Sequence, residues 1–488
     1  MNSTLTALFG YGVPVGAAVL MSLATVVCMG MALTYPRYLV LGYVAVLVLF
    51  PQSSSYGLLA GENASVVYVK GTKTFFFSFL DMLIFGTWLL TIVFGRLWRN
   101  EREPFLPITK YYLAFAALFL GHFLVGLFDP KHFSLLDLAG RGVINVVWQG
   151  MFVSLLVSTI RTERDLRFLI SIVLAGAASR ELFGLARYAF FGGDPQNAYA
   201  NIENLKIKIT FWDINDSIIA CMVAAFCGWR VLVDRVRGWS LLFYSMLGIS
   251  AVLIPLLSAR RTGQMGLLFA LGLLVFLLPR GRRWPIVLSL ILVTPLVAVL
   301  AAQRSQTRDT SFIQKLLLDV KISAASDPRR TRFYEFVTAW RTIRDEPLFG
   351  VGPAGEFRVT DHFGLEYHHG RYDFVHSGFG HIFLKMGLVG LFIFVGIFVA
   401  YVRFLRSRWR LIPAEWRAFS VAGVCAFAAQ LPNLAFGTPI GEIRTMQVLG
   451  LILAIPFLVS RCVKVESVAK TPEAPSARRL HGLAPIRA

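Results

Sequence analysis

Four of the chain's eight histidines, His368, His369, His376 and His381, fall within 14 residues. A histidine changes charge near neutral pH, so it can ligate a metal or take a proton from a hydroxyl. Metal ligation is the sharper reading, but neither an H-E-x-x-H nor an acid-bracketed spacing accompanies the cluster. Proton transfer needs one such histidine at the mouth of a cleft. Arg329, Arg330 and Arg332 precede the cluster, at the head of a helical stretch predicted to end at Trp340. Pro347-Leu-Phe-Gly-Val-Gly-Pro353 reads as a turn between the two.

A second group of polar residues lies among long apolar stretches. Ser258-Ala-Arg260-Arg261-Thr-Gly263 joins two of them. A connecting turn needs polar residues, and that accounts for part of the pattern. Arg260 and Arg261 also present planar, multidentate donors suited to phosphate oxygens, as in a diphosphate lying at a lipid surface. Arg180, Glu181 and Arg187 lie near one end of an earlier stretch. Positions 180 and 187 are seven apart and share a helical face, and both internal pairing and substrate contact fit them. Lys206, Lys208, Asp213, Asn215 and Asp216 open the next stretch. Asp213 and Asp216 suit helix capping, or weakly a divalent cation. Asp81, alone in its stretch, is expected to pair with one of these bases.

The elements that must position these groups are membrane helices. Of 488 residues 56% are hydrophobic and 16% charged, and mean hydropathy is +0.63. Soluble domains are less apolar and more charged, so soluble, disordered, coiled-coil and collagenous classes are excluded. Thirteen apolar stretches run from 13–34 to 444–460, and the second, 37–51, is short for a crossing, which gives about 12 transmembrane helices. Barrel alternation is absent, so the fold class is all-α, a polytopic helical membrane protein. The chain divides into transmembrane helices over 1–302, a large helical loop over 303–377, further transmembrane helices over 378–460 and a disordered tail over 461–488.

The formal charge of +20 raises nucleic acid as a partner, but no nucleic-acid motif is present, and basic loops orient membrane proteins. Arginine-rich segments at 99–110, 161–167, 230–237, 280–283 and 403–417 come at alternate turns of the chain and are assigned to the cytoplasm with the tail. The 303–377 loop has 11 Lys+Arg and 10 Asp+Glu, lacks that excess, and falls on the opposite face. Cys28, Cys221, Cys227, Cys425 and Cys462 form no CxxC pair, which argues against a metal knuckle or disulfide framework. The first apolar stretch has no basic n-region and reads as a retained helix.

Three elements together resemble the O-antigen ligase and polymerase superfamily of bacterial inner-membrane proteins. They are the Ser258–Gly263 turn opening an apolar helix; Arg332-x-x-x-Phe336 leading to Pro347-Leu-Phe-Gly-Val-Gly-Pro353; and Val375-His376-Ser377 followed by Gly387-Leu-Val-Gly390. Phe211-x-Asp213-x-Asn215-Asp216 is similar as well. The sequence departs from the family pattern in three places. The serine expected directly before the arginine is displaced, so Arg260 and Arg261 compete for one role. Lys206 and Lys208 stand where an arginine is usual, and Ser377 replaces an asparagine.

The resemblance implies a GT-C type glycosyltransferase with a periplasmic active site in the inner membrane. It implies transfer of a glycan from undecaprenyl diphosphate to an acceptor hydroxyl, without a nucleotide sugar and without metal or other cofactor. By position, His376 is then the general base, and Arg260 or Arg261 with Lys206 or Lys208 holds the diphosphate. Arg180, Arg187, Asp213, Asn215, Arg332, His368 and His369 complete the candidate substrate site. A ligase uses lipid A–core as acceptor, a polymerase uses a second lipid-linked repeat, and a protein-glycosylating relative uses Ser or Thr. The helix count and single large loop favour the ligase. A lipid-linked glycan flippase is a different class, expected to show inverted repeats or broken spans with midplane charges, and no such repeat is visible.

Overall fold

A computed structural model describes residues 15–51, 78–93, 105–127, 142–194, 208–258, 260–303, 332–358, 371–372 and 374–463. Its described helices, in chain order, begin with α1 (Val15–Thr34), α2 (Pro36–Leu49), α3 (Phe79–Trp88, running on as a π turn over Leu89–Val93), α4 (Thr109–Leu127) and α5 (Ile144–Thr159). Then come α6 (Glu163–Phe190), α7 (Ile214–Leu232), α8 (Trp239–Leu257), α9 (Arg261–Leu277) and α10 (Trp284–Gln303). The large loop supplies α11 (Arg332–Asp345), and the chain closes with α12 (Gly378–Arg408), α13 (Ala414–Phe436) and α14 (Ile443–Cys462).

Seven of these are long and apolar enough to cross a membrane, and five more are shorter apolar helices, among them the short second stretch, Pro36–Leu49. The protein is a polytopic helical membrane protein, as its composition requires. Strand content among the described residues is one two-residue antiparallel ladder inside the loop, β1 (Phe357–Arg358) on β2 (Arg371–Tyr372). Helix α11 runs to Asp345, five residues beyond the predicted end, because Ile343 packs with Ala339 into a small core with Phe357, Val375 and Leu384.

Local chemistry sets the helix starts. Thr162 and Asp165 close a capping box at α6, Asp213 caps α7 and Ser377 caps α12, each satisfying N–H groups that a helix leaves orphaned. Asp81 closes a capping box with Ser78, where Ser78 N donates to Oδ2 at 3.0 Å.

Two helices form the centre. The apolar window of α14 is 94% buried and that of α7 83%, whereas α4 at 11% lies at the rim. Backbone approaches are tight where glycine permits them. A Cβ on Gly266 of α9 would stand 2.6 Å from the Ala429 carbonyl of α13.

The bundle has two unlike ends. At one, Arg37 lies 3.6 Å from Asp165 and Arg167 lies 3.2 Å from Glu415, while Arg282 donates to the Leu232 carbonyl and Arg461 to that of Val157. The arginine-rich connections at 230–237, 280–283 and 403–417 therefore gather on that side. At the other end, the C-termini of α2, α6, α8 and α13 meet the N-termini of α5, α7, α9, α12 and α14.

Candidate functional site

The site lies at this second end and begins with Arg444, which is fully buried on the first turn of α14. Its Nη1 lies 2.7 Å from Asp213 Oδ2 and its Nη2 3.1 Å from Asp216 Oδ1. Its Nε donates to the Leu47 carbonyl at 2.8 Å and Nη2 to that of Val48 at 3.2 Å. Asp216 also takes Arg180 Nη2 at 2.8 Å. One guanidinium thus ties the ends of α2, α7 and α14, and a second adds α6. Asn215 links Asp213 to α14, donating to Asp213 Oδ1 at 2.7 Å and to Thr445 Oγ1 at 2.9 Å. Buried charges persist only where they are paired and hydrogen-bonded, and this set meets both conditions.

Arg180, Gly184 and Arg187 share one face of α6. A Cβ on Gly184 would stand 2.3 Å from Phe211 Cε2, so glycine lets that ring lie against the helix. The guanidinium carbons of Arg180 and Arg187 sit 4.1 and 5.1 Å from its centroid. Arg187 further pairs with Asp194 at 2.7 Å and donates to the Thr210 carbonyl at 2.7 Å. Glu181, on another face as its spacing requires, accepts from Ser250 at 2.5 Å.

Arg260 and Arg261 open α9. Arg260 is half-buried, donates to the Trp212 carbonyl and lies 4.8 Å over the Trp212 ring. Arg261 is exposed on the first turn. That turn carries no acidic residue, so the positive end of the helix dipole and two guanidiniums add together, an arrangement that attracts anions. Lys208 is exposed on the approach to Asp213. Lys206, His368 and His369 lie outside the described residues, and of Arg332 only its place at the start of α11 is described.

His376 reaches the same end from the other direction, half-buried just before α12. Phe374 holds its strand. That ring stacks on His381 at 4.3 Å, meets His376 edge-on at 5.9 Å and packs on Gly441, where a Cβ would stand 2.9 Å from Phe374 Cε2. Gly441 belongs to the Thr438–Glu442 turn between α13 and α14. Glu442 ends that turn one residue before α14. Thr445 donates to it at 2.6 Å, and both Asp213 and Arg260 act on its charge. Burial, then the Asp213 carboxylate, push its pKa above the ordinary value, and hydrogen bonds from Thr445 and Thr438 with the Arg260 charge offset part of the rise. The His376 segment and the Asp213 cluster therefore meet at a single turn, with Phe374 on one side and the Glu442–Thr445–Asn215 hydrogen bonds on the other.

The Pro347–Pro353 turn has a third role. Gly387 breaks α12 at φ 63°, ψ −167°, and the turn fills the break. Leu388 N donates to the Pro347 carbonyl at 2.9 Å, Val389 N to that of Leu348 at 3.1 Å, and Val351 N to that of Leu384 at 3.0 Å. Gly350 takes φ 71°, and a Cβ there would meet the Leu384 carbonyl at 2.5 Å. Beside the break, buried Lys385 donates to the Gly355 carbonyl.

Of the residues singled out from sequence, Arg180, Arg187, Asp213, Asn215, Lys208, Arg260, Arg261 and His376 share this end of the bundle. Asp213 caps α7, and both Asp213 and Asp216 pair with arginine. Arg444, Asp194, Glu442 and Lys385 were not singled out. The available signal was an ionisable residue on the apolar flank of a span, which Arg444 and Lys385 both display.

Fold and site define a multi-pass helical membrane protein with fixed cations and His376 at one end. Residues 244–395 match the family model described as O-Antigen ligase. The matched segment takes in the Arg260–Arg261 turn, the Pro347–Pro353 turn and His376, so the resemblance read from these motifs is borne out over that part of the chain and supports a membrane transferase of the ligase type. No curated protein matches the chain.

Proposed function

We propose that the protein is an O-antigen ligase that moves a polysaccharide from undecaprenyl diphosphate to a hydroxyl of lipid A–core oligosaccharide, at the periplasmic face of the inner membrane. The observation that carries this reading is that the His376 segment, through Phe374 against Gly441, and the Asp213–Asn215–Thr445–Glu442 hydrogen-bond chain meet at the Thr438–Glu442 turn, at the end of the bundle where Arg260 and Arg261 open α9 inside the family-matched segment. An inverting displacement at an anomeric carbon needs a base on one side and anion stabilisation on the other. His376 accepts the acceptor hydroxyl's proton. The oxygen attacks the anomeric carbon, the bond from that carbon to phosphate oxygen breaks, and the diphosphate leaves with the electron pair. Arg260 and Arg261, with Lys206 or Lys208, hold the departing charge. The reaction needs no divalent cation on this reading, because the nearby Asp213 and Asp216 carboxylates already carry guanidinium partners.

The test mixes purified protein with undecaprenyl diphosphate–glycan and lipid A–core, with and without EDTA, and follows products on a gel. Ligated product that persists in EDTA, vanishes in His376→Ala and declines in Arg260→Ala or Arg261→Ala is the expected result. Full activity in His376→Ala removes the base assignment, and loss of product in EDTA removes the metal-free mechanism. Glycan chain growth without acceptor assigns the protein to the polymerases, and movement of glycan lipid across the bilayer without transfer to the flippases.

A further inference from the structure

The Pro347–Pro353 turn lies at a depth that its position in a loop does not suggest. Arg403 marks the basic end of α12's apolar run. A hydrocarbon core of about 30 Å takes about 20 helical residues. Counted back from Arg403, it ends near residue 383. The turn hydrogen-bonds to α12 at 384, 388 and 389, which is inside that limit by roughly 6 Å at Gly387 at 1.5 Å per residue. Helix α4 gives the same answer, since His122, 12 residues on from Lys110, is the side chain facing Gly352.

Non-helical backbone is tolerated at that depth only when its polar groups are satisfied by protein. Several of those of this turn are. The Pro347 and Leu348 carbonyls accept from α12, Val351 N donates to α12, Gly350 N donates to the Glu346 carbonyl at 3.0 Å, and two of its seven residues are prolines, which have no N–H. Its side chains behave differently. Leu348 is 58% exposed and Phe349 54%, on the same helix flank where Phe392 is 70% exposed. Arg341 and Arg344 of α11 are exposed, as are Asp345 and Glu346 between them and the turn, and Trp340 is half-exposed one residue before Arg341. An exposed apolar tip on a chain whose preceding helix carries an aromatic residue and cations is the residue mix of an element seated in a bilayer interface.

We infer that the Pro347–Pro353 turn is a membrane anchor, with Leu348 and Phe349 inserted among acyl chains of the leaflet on its side and Arg341 and Arg344 at its phosphates. The occupant of this surface is bilayer phospholipid. The anchor fixes the depth of the loop that ends at His376, and it holds whichever transfer reaction the protein performs.

Wild-type protein in nanodiscs containing a phospholipid with an acyl-chain diazirine would be irradiated and digested, and adducts located by mass spectrometry. Adducts on Leu348 or Phe349, as on Phe392, are expected. Adducts on Phe392 with none at 348–349 overturn the inference, as does a protein cross-link to the turn in their place. A second measurement uses spin labels at Phe349→Cys and Asp345→Cys in a chain whose native cysteines are replaced. The ratio of oxygen to nickel-chelate accessibility should be severalfold higher at 349, and equal ratios overturn the inference.

Discussion

Arg444 has the most to lose from a single change. It is fully buried and neutralises Asp213 and Asp216, and removing one partner of a buried pair costs about 3–5 kcal/mol because the other charge is stranded. Arg444→Leu should therefore lower the thermal unfolding midpoint in detergent markedly. Asp213→Asn combined with Arg444→Leu should cost less than the two single changes added together, since the double variant strands less charge. Additive losses in that cycle would mean that the pair, at 2.7 Å, is not energetically coupled. Such residues were partly legible. Arg180, Arg187, Asp213 and Asn215 stood out as polar groups in apolar surroundings, yet their partners could not be read. Arg444 and the Leu47 carbonyl are 397 positions apart, and no local pattern connects them.

The break in α12 shows how a motif becomes structure. Pro-Leu-x-Gly-x-Gly and Gly-x-x-Gly read as two separate signatures in sequence. In the fold they are two sides of one contact, because only glycines at 350 and 387 allow the turn and the helix backbone to meet. Gly387→Ala would place a Cβ 2.3 Å from the Leu348 carbonyl carbon and oxygen at a positive φ. Strain of that kind costs of order 1–3 kcal/mol before any clash is relieved. The variant should unfold at lower temperature and expose the 347–353 turn to protease. Gly121→Ala on α4, with nothing within 4 Å, is the control and should leave both readouts unchanged.

For the whole molecule, the two ends of the bundle divide its charge. Excess arginine at one end follows the rule that orients membrane proteins, while the arginines of the other end are held in pairs, on aromatic rings or at a helix start. We expect a cysteine at Lys208 to react with a membrane-impermeant maleimide in intact spheroplasts, and one at Arg237 to react only after lysis. The reverse pattern would place the candidate site in the cytoplasm and exclude a periplasmic transferase. The membrane class and the all-helical, multi-pass character were determined by the sequence alone, because hydropathy acts locally along the chain. The packing decided the rest. It gave Asp213 and Asp216 arginine partners, packed a loop motif into the break of α12, and set the His376 segment against the Gly441 turn through Phe374. Each of these depends on which helix ends become neighbours, and burial of whole helix faces fixes that after the local pattern has been satisfied.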